Sequence, residues 1–169
     1  MTDYGLLAKQ IVSLAEVDAH WLPVLSNAAA LLWDALDDIN WAGFYLVDPA
    51  TVTGEGAELG VALSAPEPCT PELRLGPFQG KVACVRIPFG RGVCGTAAET
   101  KTSQLVEDVH QFPGHIACDS ASNSEVVVPI VKDNQVVGVL DIDSPNVARF
   151  TQEDLADLEQ VVKALESCT

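Results

Sequence analysis

Cys84, Cys94 and Cys118 lie in three separate segments of the second half of the chain, VACVRIPFG, GRGVCGTAAE and GHIACDSASNSE. A cysteine reacts through its thiolate, which backbone N–H groups, a neighbouring imidazole or other polar groups favour and an apolar core does not. Cys118, in a polar stretch with His115 close by and a strand following, has the surroundings such a thiol needs. The spacings of ten residues from Cys84 to Cys94 and twenty-four from Cys94 to Cys118 contain no CxxC pair, so a structural zinc site is not expected. Five cysteines is an odd count in a chain too large to depend on disulfides for stability, and redox use is the better functional expectation.

The carboxylates add acid–base capacity. In GVLDIDSP the side chains of a strand alternate, so Asp141 and Asp143 project to one face and Ile142 to the other. Two carboxylates about 7 Å apart on one strand face repel each other, so one holds a proton or both await a cation; the plainer alternative is a solvated strand end. Glu125 begins the preceding strand. A two-residue turn at Asp133 and Asn134 would set Glu125 opposite Ile142, on the wrong face, whereas a bulge or a three-residue loop would set it opposite an aspartate. Parity alone leaves both open. Trp41 and Tyr45, four apart on an earlier strand, share a face and could wall a small apolar pocket or simply fill a core. His110 and His115 precede Cys118, but a cysteine hydrolase would also need an orienting partner and an oxyanion hole, and neither is visible.

The elements that must carry these residues follow from periodicity. Leu7, Ile11 and Leu14 recur at helical spacing, and after an interruption at Pro23 so do Leu25, Ala29, Leu32 and Leu36, so two helices are expected within residues 1–39. WAGFYLVD changes the period to that of a strand. A proline- and glycine-rich excursion over 49–71, containing Cys69, interrupts the strands that follow. ELRLGPF and ACVRIPF read as strands, VCGTAAET as a short helix, 106–123 as a long irregular stretch, and EVVVPIV with QVVGVLDID as a hairpin. Thr151, with Asp154 three positions on, opens a closing helix over 151–166 striped by Leu155, Leu158, Val162 and Leu165. The expected architecture is one α+β domain spanning 1–169: a central antiparallel sheet, helices on one face, and a loop-roofed pocket on the other.

Gly90, Gly92 and Gly95 spell GxGxxG, but no βαβ unit surrounds them and no acidic residue closes a second parallel strand, so dinucleotide binding is not expected. The glycines instead suit a tight turn from strand into helix. Twenty-four acidic against nine scattered basic residues, a net charge of −15, exclude a phosphate-neutralising stripe and make nucleic acid and anionic membranes poor partners. Without a leader-like N-terminus or a long apolar span, a cytoplasmic protein is expected.

Taken together, NWAGFYL, GPFQGKVACVRIPFGRGVCGTAAET, EDVHQFPGHIACDSASNSE and GVLDIDS resemble the free methionine-R-sulfoxide reductase family, built on a GAF-type fold. The resemblance implies reduction of free L-methionine-(R)-S-oxide to methionine, with no bound cofactor or metal. It implies that Cys118 attacks the sulfoxide sulfur and is left as a sulfenic acid, that Cys84 condenses with it to a disulfide, and that Cys94 is a second resolving or supporting thiol. A thioredoxin-like dithiol would restore the thiols, and a homodimer is the family's suggestion. Glu125, Asp141 and Asp143 would hold the amino acid and polarise the sulfoxide oxygen, while Trp41 and Tyr45 would shape the pocket for the methyl and side chain. The 49–71 excursion departs from the family's short connection, and Cys69 has no counterpart in its motifs; Cys168 sits beside the terminus as a bystander. The alternative is a non-catalytic GAF-type sensor, which shares the fold but has no need of three thiols.

Overall fold

The computed structural model describes residues 2–18, 20–47, 71–116 and 119–168. The excursion expected over 49–71 lies, apart from Pro71, outside the described residues, as do Cys69 and Cys118.

Two helices open the chain, α1 (Tyr4–Val17) and α2 (Trp21–Ala35). Asp3 caps α1 by accepting from Leu6 N, and the helix buries Tyr4, Leu7, Ile11 and Ala15 along one stripe; Ala15 rather than Leu14 completes it. Pro23 does not interrupt the second helix. It falls in the first turn of α2, just after the His20 cap, where the missing N–H would have had no helical partner.

Six strands form one sheet in the order β3-β2-β1-β6-β5-β4 with every neighbouring pair antiparallel: β1 (Trp41–Val47), β2 (Glu72–Gly80), β3 (Arg86–Pro88), β4 (Gln104–Val106), β5 (Ser124–Lys132) and β6 (Gln135–Ser144). The short helix α3 (Gly92–Thr100) connects β3 to β4, a 3-10 turn spans Val109–Gln111, and α4 (Gln152–Ser167) closes the chain. The expected Thr151–Asp154 capping box is present at α4, and Tyr4 Oη donates to Asp154 Oδ1 at 2.6 Å, tying α1 to that cap. Two expectations need correction. The stretch over 106–123 is not wholly irregular, since the edge strand β4 enters its start. The second pocket-side strand is only Arg86–Pro88, so Cys84 lies in the connection before β3 rather than in a strand.

Alternation splits the sheet into two faces. Ala42, Phe44, Val126, Val128, Ile130, Leu140 and Ile142 pack with α1, α2 and α4 in one apolar cluster. Trp41, Tyr45, Leu73, Ile87, Val127 and Val139 pack with Val93, Cys94, Ala97 and Ala98 of α3 in a second. Helices thus cover one face, and α3 with its adjoining loops roofs the other. No helix among the described residues is long and apolar enough to cross a membrane.

The β5–β6 hairpin combines both alternatives left open by parity. Its turn is two residues long, with Asp133 and Asn134 at φ 50° and 63° as a type I′ turn requires, and Lys132 pairs with Gln135. The ladder then shifts between Ile130 and Val131: Val131 pairs with Val136 but Ile130 with Gly138, leaving Val137 as the extra residue of a bulge. Beyond the bulge Glu125 faces Asp143 and Val127 faces Asp141. One unpaired residue therefore brings all three carboxylates to the same face.

Candidate active site

Glu125, Asp141 and Asp143 form the floor of a cavity on the α3 side of the sheet, walled by Ile87, Val93, Cys94, His115 and Ile116. A contiguous hollow over Asp141 and Asp143 is lined by Trp41, Tyr45, Val82 and Ala83. The floor is not a solvated strand end: Glu125 and Asp141 are only 6% and 5% exposed. Cys94 Sγ, one Glu125 oxygen and one Asp141 oxygen lie within 4.8 Å of one another, with Cys94 Sγ donating to Glu125 Oε1 at 3.8 Å. This thiol and two carboxylates are also the group among the described residues that could hold a metal ion.

Local sequence explains why α3 delivers Cys94 here. Gly90 and Gly92 take positive φ values of 75° and 62° where β3 turns into the helix, and a Cβ on Gly95 would collide with the Pro88 carbonyl oxygen. The GxGxxG run is thus a strand-to-helix turn that seats Cys94 over the floor.

Burial sets the protonation of the site. It raises the Glu125 carboxyl well above its ordinary range, with Asp141 and Asp143 adding repulsion, and it raises Asp143 similarly, aided by Asp141. Asp141 rises to about 7, again through burial, while contacts from Cys94 and Glu125 favour its anion. Asp141 is thus the first of the three to ionise, and Glu125 and Asp143 both keep their protons longer. The Cys94 thiol is pushed well up by burial and by Asp141 and Glu125, so it stands as a neutral S–H. Asp141 Oδ1 is buried with no hydrogen-bond partner among the described residues.

His115 Nε2 lies 3.8 Å from Glu125 Oε2, a separation that would suit an ion pair. Burial, and secondarily His110, lowers the His115 pKa, while Glu125 retains its proton. The contact is between neutral groups and too long for a hydrogen bond.

Trp41 and Tyr45 share this face, and Phe78 joins them. Trp41 stacks on Tyr45 with centroids 5.7 Å apart at 23°, and on Phe78 at 5.2 Å and 13°. Trp41 Nε1 donates to the Lys81 carbonyl at 3.2 Å, fixing the start of the segment that carries Cys84.

Sequence reasoning missed a polar roof. Asn40 Nδ2 donates to Asp119 Oδ2 at 3.2 Å and to Ser122 Oγ at 3.0 Å, and Lys81 Nζ lies 3.5 Å from Asp119 Oδ2. Asp119 Oδ1 accepts from Ala121 N at 2.9 Å, an Asx turn that the DSA sequence signals; nothing in the sequence placed Asn40 or Lys81 beside it. With the roof in place the cavity holds about 20 Å³, room for roughly one water molecule.

Of the three cysteines singled out, Cys94 is a free, buried thiol at the floor. Cys84 is half-buried, packs against the pocket-side cluster and is disulfide-bonded; its partner is neither Cys94 nor Cys168, both of which are free. Cys118 lies outside the described residues, but Ile116 and Asp119, the nearest described residues on either side of it, both line the cavity.

The GAF domain family matches residues 22–168. Free methionine-R-sulfoxide reductase of Escherichia coli (strain K12) is 49% identical over 163 residues, covering 96% of this chain and 86% of that protein. The protein of the same name from Saccharomyces cerevisiae is 45% identical over 161 residues, covering 92% and 79%. The reduced form of fRMsr from Staphylococcus aureus superposes with a TM-score of 0.83 at 49% identity, over 99% of this chain and 96% of that one; its complex with substrate gives 0.82.

Proposed function

This chain belongs to the free methionine-R-sulfoxide reductase family of GAF domains, and from that premise we propose that it reduces free L-methionine-(R)-S-oxide to L-methionine with Cys118 as nucleophile. The observation that carries the reading is the floor: a bulge-set trio of buried carboxyls beside an aromatic wall, with a disulfide-bonded cysteine on the adjoining segment.

A sulfoxide oxygen leaves only when protonated. Glu125, holding its proton through burial, supplies that acid at neutral pH, where an ordinary carboxyl would already be ionised. The Cys118 sulfur bonds to the sulfoxide sulfur as its oxygen is protonated, the hydroxyl then passes to Cys118 as the S–O and S–S bonds to the methionine sulfur break, and methionine departs as the sulfide, leaving Cys118 as a sulfenic acid. Cys84 then displaces it as water and forms the Cys84–Cys118 disulfide; that Cys84 is disulfide-bonded, and to neither Cys94 nor Cys168, supports its role as the resolving thiol. A thioredoxin-like dithiol returns both sulfurs to thiols.

The partnerless oxygen of Asp141 receives the substrate's ammonium, which neutralises the one carboxyl of the trio poised to ionise. A methionine sulfoxide within a peptide has no such ammonium, and this gives the preference for the free amino acid. Trp41 and Tyr45 take the methyl group and side chain. Cys94 keeps its proton and donates to Glu125, so it acts as a supporting thiol and Cys84 as the resolving one. A cavity with room for about one water does not admit methionine sulfoxide, so the roof must open for substrate.

Consumption of the R and S epimers by the reduced protein with dithiothreitol tests the reading. Turnover of R alone is expected. No turnover of either epimer with confirmed free thiols would instead support the ligand-sensing module.

A further inference from the structure

Beside the cavity mouth, the segment from Lys81 to Arg86 has properties that catalysis within the pocket does not use. We propose that this strip is the docking surface for the protein dithiol that reopens the Cys84 disulfide, a proposal that rests on the reductase reading above.

Four observations converge on the strip. Cys84, at its centre, is half-buried and already in a disulfide, so this is a place where an external thiol has work to do. Val82 and Val85 on either side of it are 87% and 67% exposed, two of the most exposed large apolar side chains among the described residues. The strip is held at its ends and open between them: the Lys81 carbonyl accepts from Trp41 Nε1, and the Val85 carbonyl accepts from Leu75 N at 3.0 Å. Among the described residues the backbones of Val82 and Ala83 have no hydrogen-bond partner, and an extended partner segment can pair with them as an added strand does.

Charge identifies the partner's chemistry. Lys81 and Arg86 bracket the strip with side chains 71% and 57% exposed, Lys81 lying 3.5 Å from Asp119 and Arg86 3.4 Å from Glu72, and no carboxylate lies between them in sequence. In a chain of net charge −15 the strip itself carries two basic residues and no acidic one, and both ion pairs leave the cations exposed to a partner's carboxylates. It fits a dithiol oxidoreductase whose reactive thiolate sits in a flat apolar surface with acidic groups around it, and it sets the orientation in which such a partner approaches.

Docked there, the partner's thiolate attacks Cys84 Sγ. The Cys84 disulfide breaks, its other sulfur leaves as a thiolate and takes a proton, and a mixed disulfide joins the partner to Cys84. The partner's second thiol then displaces Cys84, so two electrons pass from the dithiol, which becomes a disulfide, to the protein, which becomes a dithiol.

The test uses Val85→Asp and Arg86→Glu, separately, because neither side chain lines the cavity. Turnover of methionine-R-sulfoxide is measured with dithiothreitol and with thioredoxin recycled by its NADPH-dependent reductase. We expect dithiothreitol-driven turnover within twofold of the parent and a KM for thioredoxin raised about tenfold in each variant. In the parent, that KM should climb with ionic strength. Thioredoxin carrying serine at its second active-site cysteine should be trapped on Cys84, read by peptide mass spectrometry. An unchanged KM for thioredoxin in both variants, or a trapped disulfide on another cysteine, overturns the proposal. If Val85→Asp fails to fold, Arg86→Glu alone decides it. A parent that does not turn over with dithiothreitol would instead refute the reductase reading, so the two failures are distinguishable.

Discussion

Replacing Asp141 with asparagine should make the protein more stable at pH 8 while removing its activity. Asp141 is 5% exposed on the cavity floor, and burial lifts its pKa from the ordinary 3.8 to about 7. In the unfolded chain the same carboxyl ionises near pH 4. Between those values the folded protein holds a proton that the unfolded chain has released, so stability is complete below about pH 4 and declines as pH rises toward 7. A rise from 3.8 to about 7, at roughly 1.4 kcal/mol per pH unit, amounts to roughly 4 kcal/mol lost above pH 7. Water reaching the cavity reduces this to about 2–4 kcal/mol. Asparagine keeps the shape and has no charge to bury. For a chain of this length that is a rise in Tm of about 5–15 °C at pH 8, shrinking to roughly a third of that at pH 5. The assay is thermal unfolding of both proteins in the same redox state from pH 5 to 8.5, with and without methionine-R-sulfoxide. Substrate should raise the Tm of the parent at pH 8 through its ammonium and leave that of Asp141→Asn nearly unmoved. A variant that melts at or below the parent at pH 8, or that keeps the parent's pH slope, would refute the reasoning.

Glu125→Gln cannot give up a proton and should lower kcat by roughly 10²–10³ with a smaller change in KM; a kcat within threefold would assign the acid elsewhere. In the parent the acid form must persist, so single-turnover reduction of substrate should continue past the ordinary carboxylate range and fall only as pH rises through the raised Glu125 pKa. A fall already complete by pH 6 would contradict this. Cys94→Ser should still form the Cys84 disulfide after one equivalent of substrate and keep turnover within about tenfold; loss of the disulfide by peptide mapping would make Cys94 the resolving thiol. Gly95→Ala forces a Cβ onto the Pro88 carbonyl and should cost roughly 2–3 kcal/mol in urea unfolding, and a variant of unchanged midpoint would show that α3 shifts freely.

What the sequence disclosed depended on how far each argument had to reach. Thr151 and Asp154 act within one helical turn, and Asp141, Ile142 and Asp143 alternate within one strand, so their roles were readable from adjacent letters. Trp41 and Tyr45 were readable as sharing a face for the same reason, although Phe78, which joins their stack from β2, was not. Pro23 looked like a helix break because a proline scan ignores where the helix begins; one residue after Leu22, in the first turn, it has no bond to lose. Cys84 was assigned to a strand because ACVRIPF is largely apolar with Val and Ile flanking Arg86, yet only Arg86–Pro88 finds a partner in β2. The roof of Asn40, Lys81, Asp119 and Ser122 joins three distant segments through side chains, and no local pattern announces such a meeting.

The bulge at Val137 gives the hairpin something like a reading frame. Six positions separate Val137 from Asp143, about 20 Å along the strand, yet the phase of everything between Val137 and the cavity is fixed there. Remove the bulge while keeping every residue, and Glu125 would turn toward Phe44 and Leu140 while Val126 and Val128 faced the carboxyls. A change of hairpin length by two residues is silent in this frame, and a change by one is silent only when the bulge absorbs it. A frameshift at the exposed tip, far from any reacting atom, would therefore disturb the site more deeply than many substitutions inside the pocket.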